Sequence, residues 1–161
     1  MNEKKFISLI EAHKSLIFKI CNSYCSSNNR KDLEQEILIQ IWNSYDRYDG
    51  RVKISTWIYK IALNTAISYH RKRLVEKKQS AIIQESVFSF SDYDYELDEQ
   101  IKLLYKSIEK LNYIEKAIIL LYLDDYSYKE IAEIIGLSKT NISTKINRIK
   151  AKLKKDFTQK K

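Results

Sequence analysis

Residues 127–155 read SYKEIAEIIGLSKTNISTKINRIKAKLKK, and this stretch decides the fold of the carboxy-terminal part of the chain. Ser127 and Glu130 have the spacing of a capping box, in which each side chain accepts a hydrogen bond from the other residue's backbone amide. Gly136 stands where a turn between two helices requires a left-handed backbone. Ser138 can then cap the helix that follows. The stretch therefore predicts two helices joined by a tight turn.

The second of these helices combines an apolar stripe with a polar face. Four apolar residues recur at spacings of four, three and four: Ile142, Ile146, Ile149 and Leu153. Burial of that stripe leaves short polar side chains and cations pointing outward: Lys139, Thr140, Asn141, Ser143, Thr144, Asn147 and Arg148. Short polar side chains reach base edges in the major groove, and cations hold phosphates. The pattern predicts a DNA-binding helix-turn-helix; the alternative is an ordinary antiparallel helix pair with a solvated basic face.

The composition of the chain favours helices throughout. Its 161 residues are 44% hydrophobic and include no proline and two glycines. A β-rich protein of this length would need many more turn residues, so we expect an all-α fold. The net charge of +8 suits a polyanionic partner such as nucleic acid.

The charges divide the chain into two basic parts with an acidic connector. Residues 85–101 contain six acids and no lysine or arginine, whereas residues 139–161 contain nine Lys and Arg residues and one acid. The central part of the acidic segment shows no helical period. We therefore expect two small helical domains, 1–78 and 97–161, joined by a flexible acidic linker at 79–96.

Three helices are predicted before the linker and four after it. The first extends from near Lys4 to near Tyr24, and the second starts near Lys31 and ends before the turn signal Asp49–Gly50. The third starts near Ser55. The later four are predicted at 97–111, 114–123, 127–135 and 138 to about 155.

The second helix carries an acidic patch that core packing does not explain. Asp32, Gln35 and Glu36 share one helical face, and Leu33 and Ile37 face elsewhere. An acidic patch within a basic protein suits a basic protein partner better than DNA.

The third helix interleaves aromatic residues with cations. The residues concerned are Trp57, Tyr59, Lys60, Asn64, His70, Arg71, Lys72 and Arg73. Such a mixture suits a DNA strand with unstacked bases. Trp42 and Trp57 are predicted as core anchors rather than base stackers, which leaves Tyr59 as the better candidate for stacking at the surface.

These segments resemble parts of the extracytoplasmic-function sigma factors, the minimal two-domain branch of the main bacterial RNA polymerase sigma family. DLEQEILIQIW at 32–42 resembles their polymerase-binding helix, and STWIYKIALN at 55–64 resembles their promoter-melting helix. LNYIEKAIILLYLDDYSYKEIAEIIGLSKTNISTKINRIKAKL at 111–153 resembles their carboxy-terminal DNA-binding domain, with Asn112 as a helix cap where the family often has proline. The three resemblances follow the family's order and span nearly the whole chain.

The resemblance implies a role in transcription initiation, with one task for each segment. It implies that Asp32, Gln35 and Glu36 contact core RNA polymerase. It implies that the displaced −10 strand of promoter DNA is bound by Tyr48, Arg51, Lys53, Tyr59, Lys60, Asn64 and Arg71. It implies that the −35 element is read as duplex by Lys139, Thr140, Asn141, Ser143, Thr144, Lys145 and Arg148. An anti-sigma protein is a further partner that only the resemblance suggests.

Two other functions fit part of the pattern. A free-standing helix-turn-helix regulator would bind duplex DNA without polymerase, but it leaves the acidic helix face without a role. A sigma-like decoy would bind polymerase without promoting initiation. Loss of promoter-specific transcription with retained polymerase binding would favour the decoy.

No enzyme activity, cofactor or metal site is expected. The chain has no glycine-rich phosphate loop and no H-E-x-x-H pair. His13, Cys21 and Cys25 lack a fourth ligand for zinc, and two cysteines make no disulfide framework. Because no signal peptide appears and no apolar run approaches the roughly 20 residues of a membrane helix, we expect a cytoplasmic protein without membrane insertion.

Overall fold

Helices account for most of the residues that the computed structural model describes, which are 2–25, 27–79 and 99–158. These residues contain eight α-helices and no strand, so the predicted all-α fold is confirmed. The helices are α1 (Glu3–Ala12), α2 (Lys14–Tyr24), α3 (Ser27–Ser44), α4 (Ile54–Gln79), α5 (Glu99–Glu109), α6 (Tyr113–Leu123), α7 (Tyr128–Ile135) and α8 (Lys139–Thr158). A 3-10 turn, Tyr45–Arg47, follows α3. Helices α1 to α4 belong to one compact unit and α5 to α8 to another.

The first unit has its core where α2, α3 and α4 pack together. Each of these helices contributes apolar residues at helical spacing, and all of them are buried: Ile17, Ile20, Leu33, Ile37, Ile41, Ile58, Ala62, Leu63 and Ala66. Helix α1 has no buried residue. Its phenylalanine, Phe6, packs edge to face on Trp42 of α3, with ring centroids 4.9 Å apart.

Two helix boundaries in this unit differ from the predicted ones. The predicted single helix from Lys4 to Tyr24 is interrupted at His13, whose backbone (φ −119°, ψ 13°) leaves the helical region. The Nδ1 atom of His13 lies 2.9 Å from the carbonyl oxygen of Leu9, within hydrogen-bond distance. The second helix begins at Ser27 rather than near Lys31, two residues after the extended backbone of Cys25 ends α2.

The prediction that Trp42 anchors the core is wrong. Its side chain is 43% exposed, whereas Ile41 is fully buried. One residue along a helix turns the side chain by about 100°, so the residue after Ile41 leaves the core face. Trp57 is partly buried, with its ring 6.2 Å from that of Tyr45 and 5.3 Å from that of Tyr48.

The second unit follows the predicted pattern closely. The side chain of Asn112 accepts a hydrogen bond from the Glu115 amide at 2.9 Å, so the predicted cap of α6 is confirmed. Helices α6, α7 and α8 pack on one another, and α5 packs on α8. The predicted stripe of α8 is buried over its whole length: Ile142, Ile146, Ile149 and Leu153.

The predicted linker, apart from its first residue Gln79 at the end of α4, lies outside the described residues. Its boundaries therefore stay a prediction. None of the helices in the described ranges is long and apolar enough to cross a membrane.

The contrast between Leu33 and Trp42 gives a test of the core. We expect Leu33→Ala to lower the free energy of unfolding by about 2–5 kcal/mol, because it opens a cavity among buried neighbours. Trp42→Ala removes a larger side chain but should lower it by only about 1 kcal/mol, since it loses mainly the ring contact with Phe6. Urea denaturation followed by circular dichroism measures both. Equal losses would place Trp42 in the core after all.

Candidate nucleic-acid and partner-binding surfaces

Helix α3 separates an apolar core face from an exposed acidic face. Leu33, Ile37 and Ile41 are fully buried in the core. The opposite side presents the three residues predicted to bind a protein partner, all of them exposed: Asp32, Gln35 and Glu36. The predicted placement of these residues is confirmed, and their role stays a prediction.

The same exposed face continues into two large apolar residues that sequence reasoning missed. Ile39 is 52% exposed and Trp42 is 43% exposed. They lie seven and ten residues after Asp32, which places all three within one third of the helix circumference. That spacing is readable in the sequence, and it would have assigned Trp42 to the surface.

The loop between Tyr48 and Lys53 is tied to itself and to the start of α4. The Tyr48 hydroxyl donates a hydrogen bond to the carbonyl oxygen of Val52 at 2.6 Å. The ring of Tyr48 lies against Trp57 of α4. Arg51 and Lys53 are exposed, whereas Tyr48 is partly buried. The loop thus presents exposed cations, and the contacts of Tyr48 hold its backbone in place.

Three of the α4 residues predicted to meet the displaced strand share one exposed face: Lys60, Asn64 and Arg71. Their spacing of four and seven residues brings them within about 40° of one another around the helix. The structure therefore brings these three together on one exposed face of α4.

Tyr59 does not belong to that surface, so the prediction that it stacks on bases is wrong. Its side chain is only 1% exposed, and it shares the core face with Ala62 and Ala66, three and seven residues further on. The alternation of aromatics and cations along the sequence suggested one mixed face. The helical turn instead directs Tyr59 inward and Lys60 outward.

A polar groove of about 740 Å³ runs between α3 and α4. Helix α3 contributes Glu36 and Gln40 to it, and α4 contributes Asn64, Lys72 and Arg73 among others. The Gln40 side-chain amide lies 3.3 Å from the Glu36 carboxylate. The groove therefore places a residue of the predicted partner-binding face beside one of the predicted strand-binding face.

The helix-turn-helix has the geometry that its sequence predicts. The Ser127 amide donates to the Glu130 carboxylate at 2.9 Å, and the Glu130 amide donates to the Ser127 hydroxyl at 3.2 Å. Gly136 adopts the expected left-handed backbone with φ 78°. The hydroxyl of Ser138 accepts a hydrogen bond from the Asn141 amide at 3.2 Å, which caps α8. These local contacts fix where α8 begins.

The polar face of α8 is accessible along its first half. Lys139, Thr140, Asn141, Thr144, Asn147 and Arg148 are exposed, and Ser143 and Lys145 are partly exposed. The Thr144 hydroxyl donates to the Thr140 carbonyl at 3.1 Å, so its lone pairs and methyl group are what it offers to a base. The predicted recognition residues therefore lie together at the surface.

Two cations in the rear half of α8 contact side chains of their own unit. The Lys150 ammonium donates to the Tyr122 hydroxyl at 2.7 Å and lies 4.1 Å from the centre of that ring. This hydrogen bond raises the pKa of Lys150. Lys152 pairs with Glu115 of α6, and Asp156 pairs with Lys110 at 3.0 Å. Two of the four lysines in the rear half of α8 thus contact their own unit, whereas the predicted recognition residues of the front half lie at the surface.

The two cysteines are buried and reduced. Burial raises the pKa of Cys21 to about 12 and that of Cys25 to about 11, so both thiols stay protonated and are poor metal ligands. Among the described residues, no three His, Cys, Asp or Glu side chains form a group that could hold a metal ion.

Two family models match the two helical units. Sigma-70 region 2 matches residues 9–74, from α1 through the acidic face of α3 and the loop into α4. Sigma-70 region 4 matches residues 101–153, which include the helix-turn-helix. The chain belongs to the sigma-70 family. Its relatives place it in the extracytoplasmic-function (ECF) branch.

Curated ECF and related sigma factors match this sigma factor over most of its length. RNA polymerase sigma factor YlaC of Bacillus subtilis is 30% identical over 135 residues, which cover 80% of this chain and 78% of YlaC. ECF RNA polymerase sigma factor SigW of the same organism is 24% identical and covers 97% of this chain and 90% of SigW.

A solved structure has the same fold. The sigma factor RpoE of Bartonella quintana, crystallised with the anti-sigma factor NepR, has a TM-score of 0.79 at 23% identity and covers 96% of this chain and 98% of its own. The family models and the match to YlaC confirm the predicted family resemblance. The chain is an RNA polymerase sigma factor of the ECF type, a DNA-binding factor of transcription initiation.

The division of α8 predicts how its cations contribute to duplex binding by this sigma factor. We expect Arg148→Gln to weaken binding to any duplex and to reduce the slope of log affinity against log salt by about 0.9, the loss of one phosphate contact. The matched change Lys150→Gln should alter that slope far less, because Lys150 is held on Tyr122. Fluorescence anisotropy over a salt series measures both slopes. A Lys150 slope change as large as that of Arg148 would contradict the division.

Proposed function

We propose that this ECF sigma factor uses three separate surfaces to direct core RNA polymerase to promoters and to open them. The exposed face of α3 binds core polymerase, the loop at 48–53 with α4 holds the displaced −10 strand, and α8 reads the −35 element. The observation that carries the proposal is the acidic and apolar face of α3, which a duplex-binding regulator without polymerase would not need.

The face of α3 has the composition of a protein interface. Ile39 and Trp42 supply apolar area at one end, where burial against a partner provides most of the binding free energy. Asp32 and Glu36 supply charge at the other end, which steers a basic partner and excludes DNA phosphates. We therefore add Ile39 and Trp42 to the predicted polymerase-binding residues.

The loop and α4 both offer exposed cations to the displaced strand, and α4 adds one amide. Lys60 and Arg71 attract the backbone, and Asn64 between them can hydrogen-bond a base edge. Arg51 and Lys53 extend the same charge into the loop. Unstacked bases bound here offset the free energy of melting, so opening is favoured without catalysis by this chain. Tyr48 contributes by holding the loop rather than by stacking.

The front half of α8 divides its tasks between bases and phosphates. Thr140, Asn141 and Thr144 carry short polar side chains near the start of the helix, where they reach base edges. The remaining predicted contacts fix the position on the backbone: Lys139, Ser143, Lys145 and Arg148.

The chemistry of transcription belongs to the polymerase, and we propose no enzyme activity or cofactor for this chain. It acts where polymerase and chromosomal DNA meet, in the cytoplasm. An anti-sigma protein is a further proposed partner, because the structurally similar sigma factor RpoE of Bartonella quintana is bound to one, NepR.

The polymerase-binding face is tested by charge removal. We expect Asp32→Ala combined with Glu36→Ala to weaken binding to core polymerase by about tenfold or more, since the basic groups opposite lose their partners. Co-elution of the full chain with core polymerase on a sizing column, at several concentrations, measures the affinity. The double variant should bind duplex DNA with the same affinity as the unchanged protein.

Glu3→Ala combined with Glu11→Ala removes the same charge from α1 and serves as the matched control. An equal loss in the control would mean that net charge, rather than the α3 face, governs the interaction. Failure of the unchanged protein to bind the core enzyme of its own organism would favour a free-standing regulator.

The base-reading residues are tested by sequence preference. We expect Asn141→Ala to relax the preference at one or two positions of the −35 element by about 1–3 kcal/mol, the value for a lost bidentate contact. Thr144→Ala should relax the preference by less, since a hydroxyl makes no bidentate pair. Selection of randomised duplexes by the reconstituted holoenzyme, followed by sequencing, measures this. Arg148→Ala should weaken all sequences alike. Uniform weakening by the Asn141 and Thr144 variants would refute base contact there.

A further inference from the structure

The loop proposed to hold the displaced strand contains an acid, Asp49, where a strand-binding loop would be expected to avoid one. Cations surround it in the sequence: Arg47, Arg51 and Lys53. An isolated carboxylate at this position would repel the phosphates of DNA. The contacts of Asp49 suggest what it contributes instead.

Both carboxylate oxygens of Asp49 are engaged by a single residue. Its Oδ1 accepts a hydrogen bond from the Arg51 backbone amide at 3.1 Å, and its Oδ2 lies 3.0 Å from Nε of the Arg51 side chain. Gly50 between them has φ +74°, a left-handed conformation that lets the chain reverse within two residues. On the other side, the hydrogen bond from Tyr48 to Val52 closes the same turn.

This arrangement directs the Arg51 side chain while leaving much of it available. A guanidinium carries five N–H donors, and the contact with Asp49 is made through Nε. The Arg51 side chain is 86% exposed and that of Asp49 is 55% exposed. An ion pair so exposed adds little to stability. Its local effect is to keep the Asp49 charge beside the Arg51 side chain.

We propose that Asp49 is a specificity-determining residue of the strand-binding loop, because it orients Arg51 toward a base edge and cancels the charge that would otherwise bind any phosphate. The inference rests on the proposed function of this loop. Arg51 keeps its directional hydrogen bonds, which distinguish one base from another. It loses part of its attraction for the phosphate backbone, and that attraction carries no sequence information. Asp49 itself touches no base; it acts through Arg51.

The test compares Asp49→Asn with the unchanged protein, each assembled with core polymerase. The amide oxygen of Asn can still accept from the Arg51 backbone, so the turn is kept while the charge is removed. The probes are a labelled single strand selected from a randomised pool by the unchanged holoenzyme, and a scrambled strand of the same composition. Competition measurements over a salt series give the affinity for each strand.

We expect Asp49→Asn to bind the scrambled strand more tightly and to steepen the salt slope by up to about 0.7, the value for one additional contact to a single strand. The ratio of selected to scrambled affinity should fall at least threefold. Asp49→Ala, which also loses the turn, should lower the affinity for the selected strand itself. An unchanged ratio in Asp49→Asn would overturn the proposal.

Two further variants separate the proposed effect from general electrostatics. Asp46→Asn removes a nearby exposed charge outside the contact between Asp49 and Arg51, and it should leave the ratio unchanged. In an Arg51→Ala background, Asp49→Asn should have no further effect on the ratio, since Asp49 acts through Arg51. An equal effect of Asp46→Asn, or an undiminished effect of Asp49→Asn in the Arg51→Ala background, would refute the role of Asp49. Either result would leave the proposed role of the loop intact. If the unchanged holoenzyme selects no strand, the proposed role of the loop fails, and the inference fails with it.

Discussion

The burial of one apolar stripe on each functional helix fixes what the opposite face presents to a partner. On α8 the stripe from Ile142 to Leu153 packs against α5, α6 and α7, so the short polar residues of its first half must point outward. On α3 the burial of Leu33, Ile37 and Ile41 turns the acidic residues to the surface in the same way. A helix that could rotate by half a turn would exchange core and interface, and neither surface would exist.

Local backbone contacts then set where each interface begins. The capping box of Ser127, the left-handed Gly136 and the cap at Ser138 together determine the first residue of α8. These features depend on residue type and spacing within about a dozen positions, which is why the helix-turn-helix could be predicted from the sequence almost residue by residue. The resemblance to ECF sigma factors rested on the same local patterns, and the family matches agree with it.

The sequence was less informative about the direction in which a helical side chain points and about contacts between residues far apart in the chain. Tyr59 and Trp42 were assigned by residue type, the first to the surface and the second to the core, and the helical turn places them the other way round. No proline or glycine marks the helix break at His13 in the sequence. The pairing of Lys150 with Tyr122 and of Lys152 with Glu115 joins residues 28 and 37 positions apart, which no local pattern encodes.

The three proposed surfaces together would give core RNA polymerase the ability to start at defined promoters. The most direct measurement is transcription in vitro from fragmented chromosomal DNA of the source bacterium, by core enzyme with and without the purified protein, followed by sequencing of the RNA 5′ ends. We expect discrete new start sites that share one upstream −10 and one −35 sequence. Start sites no different from those of core enzyme alone would contradict this expectation.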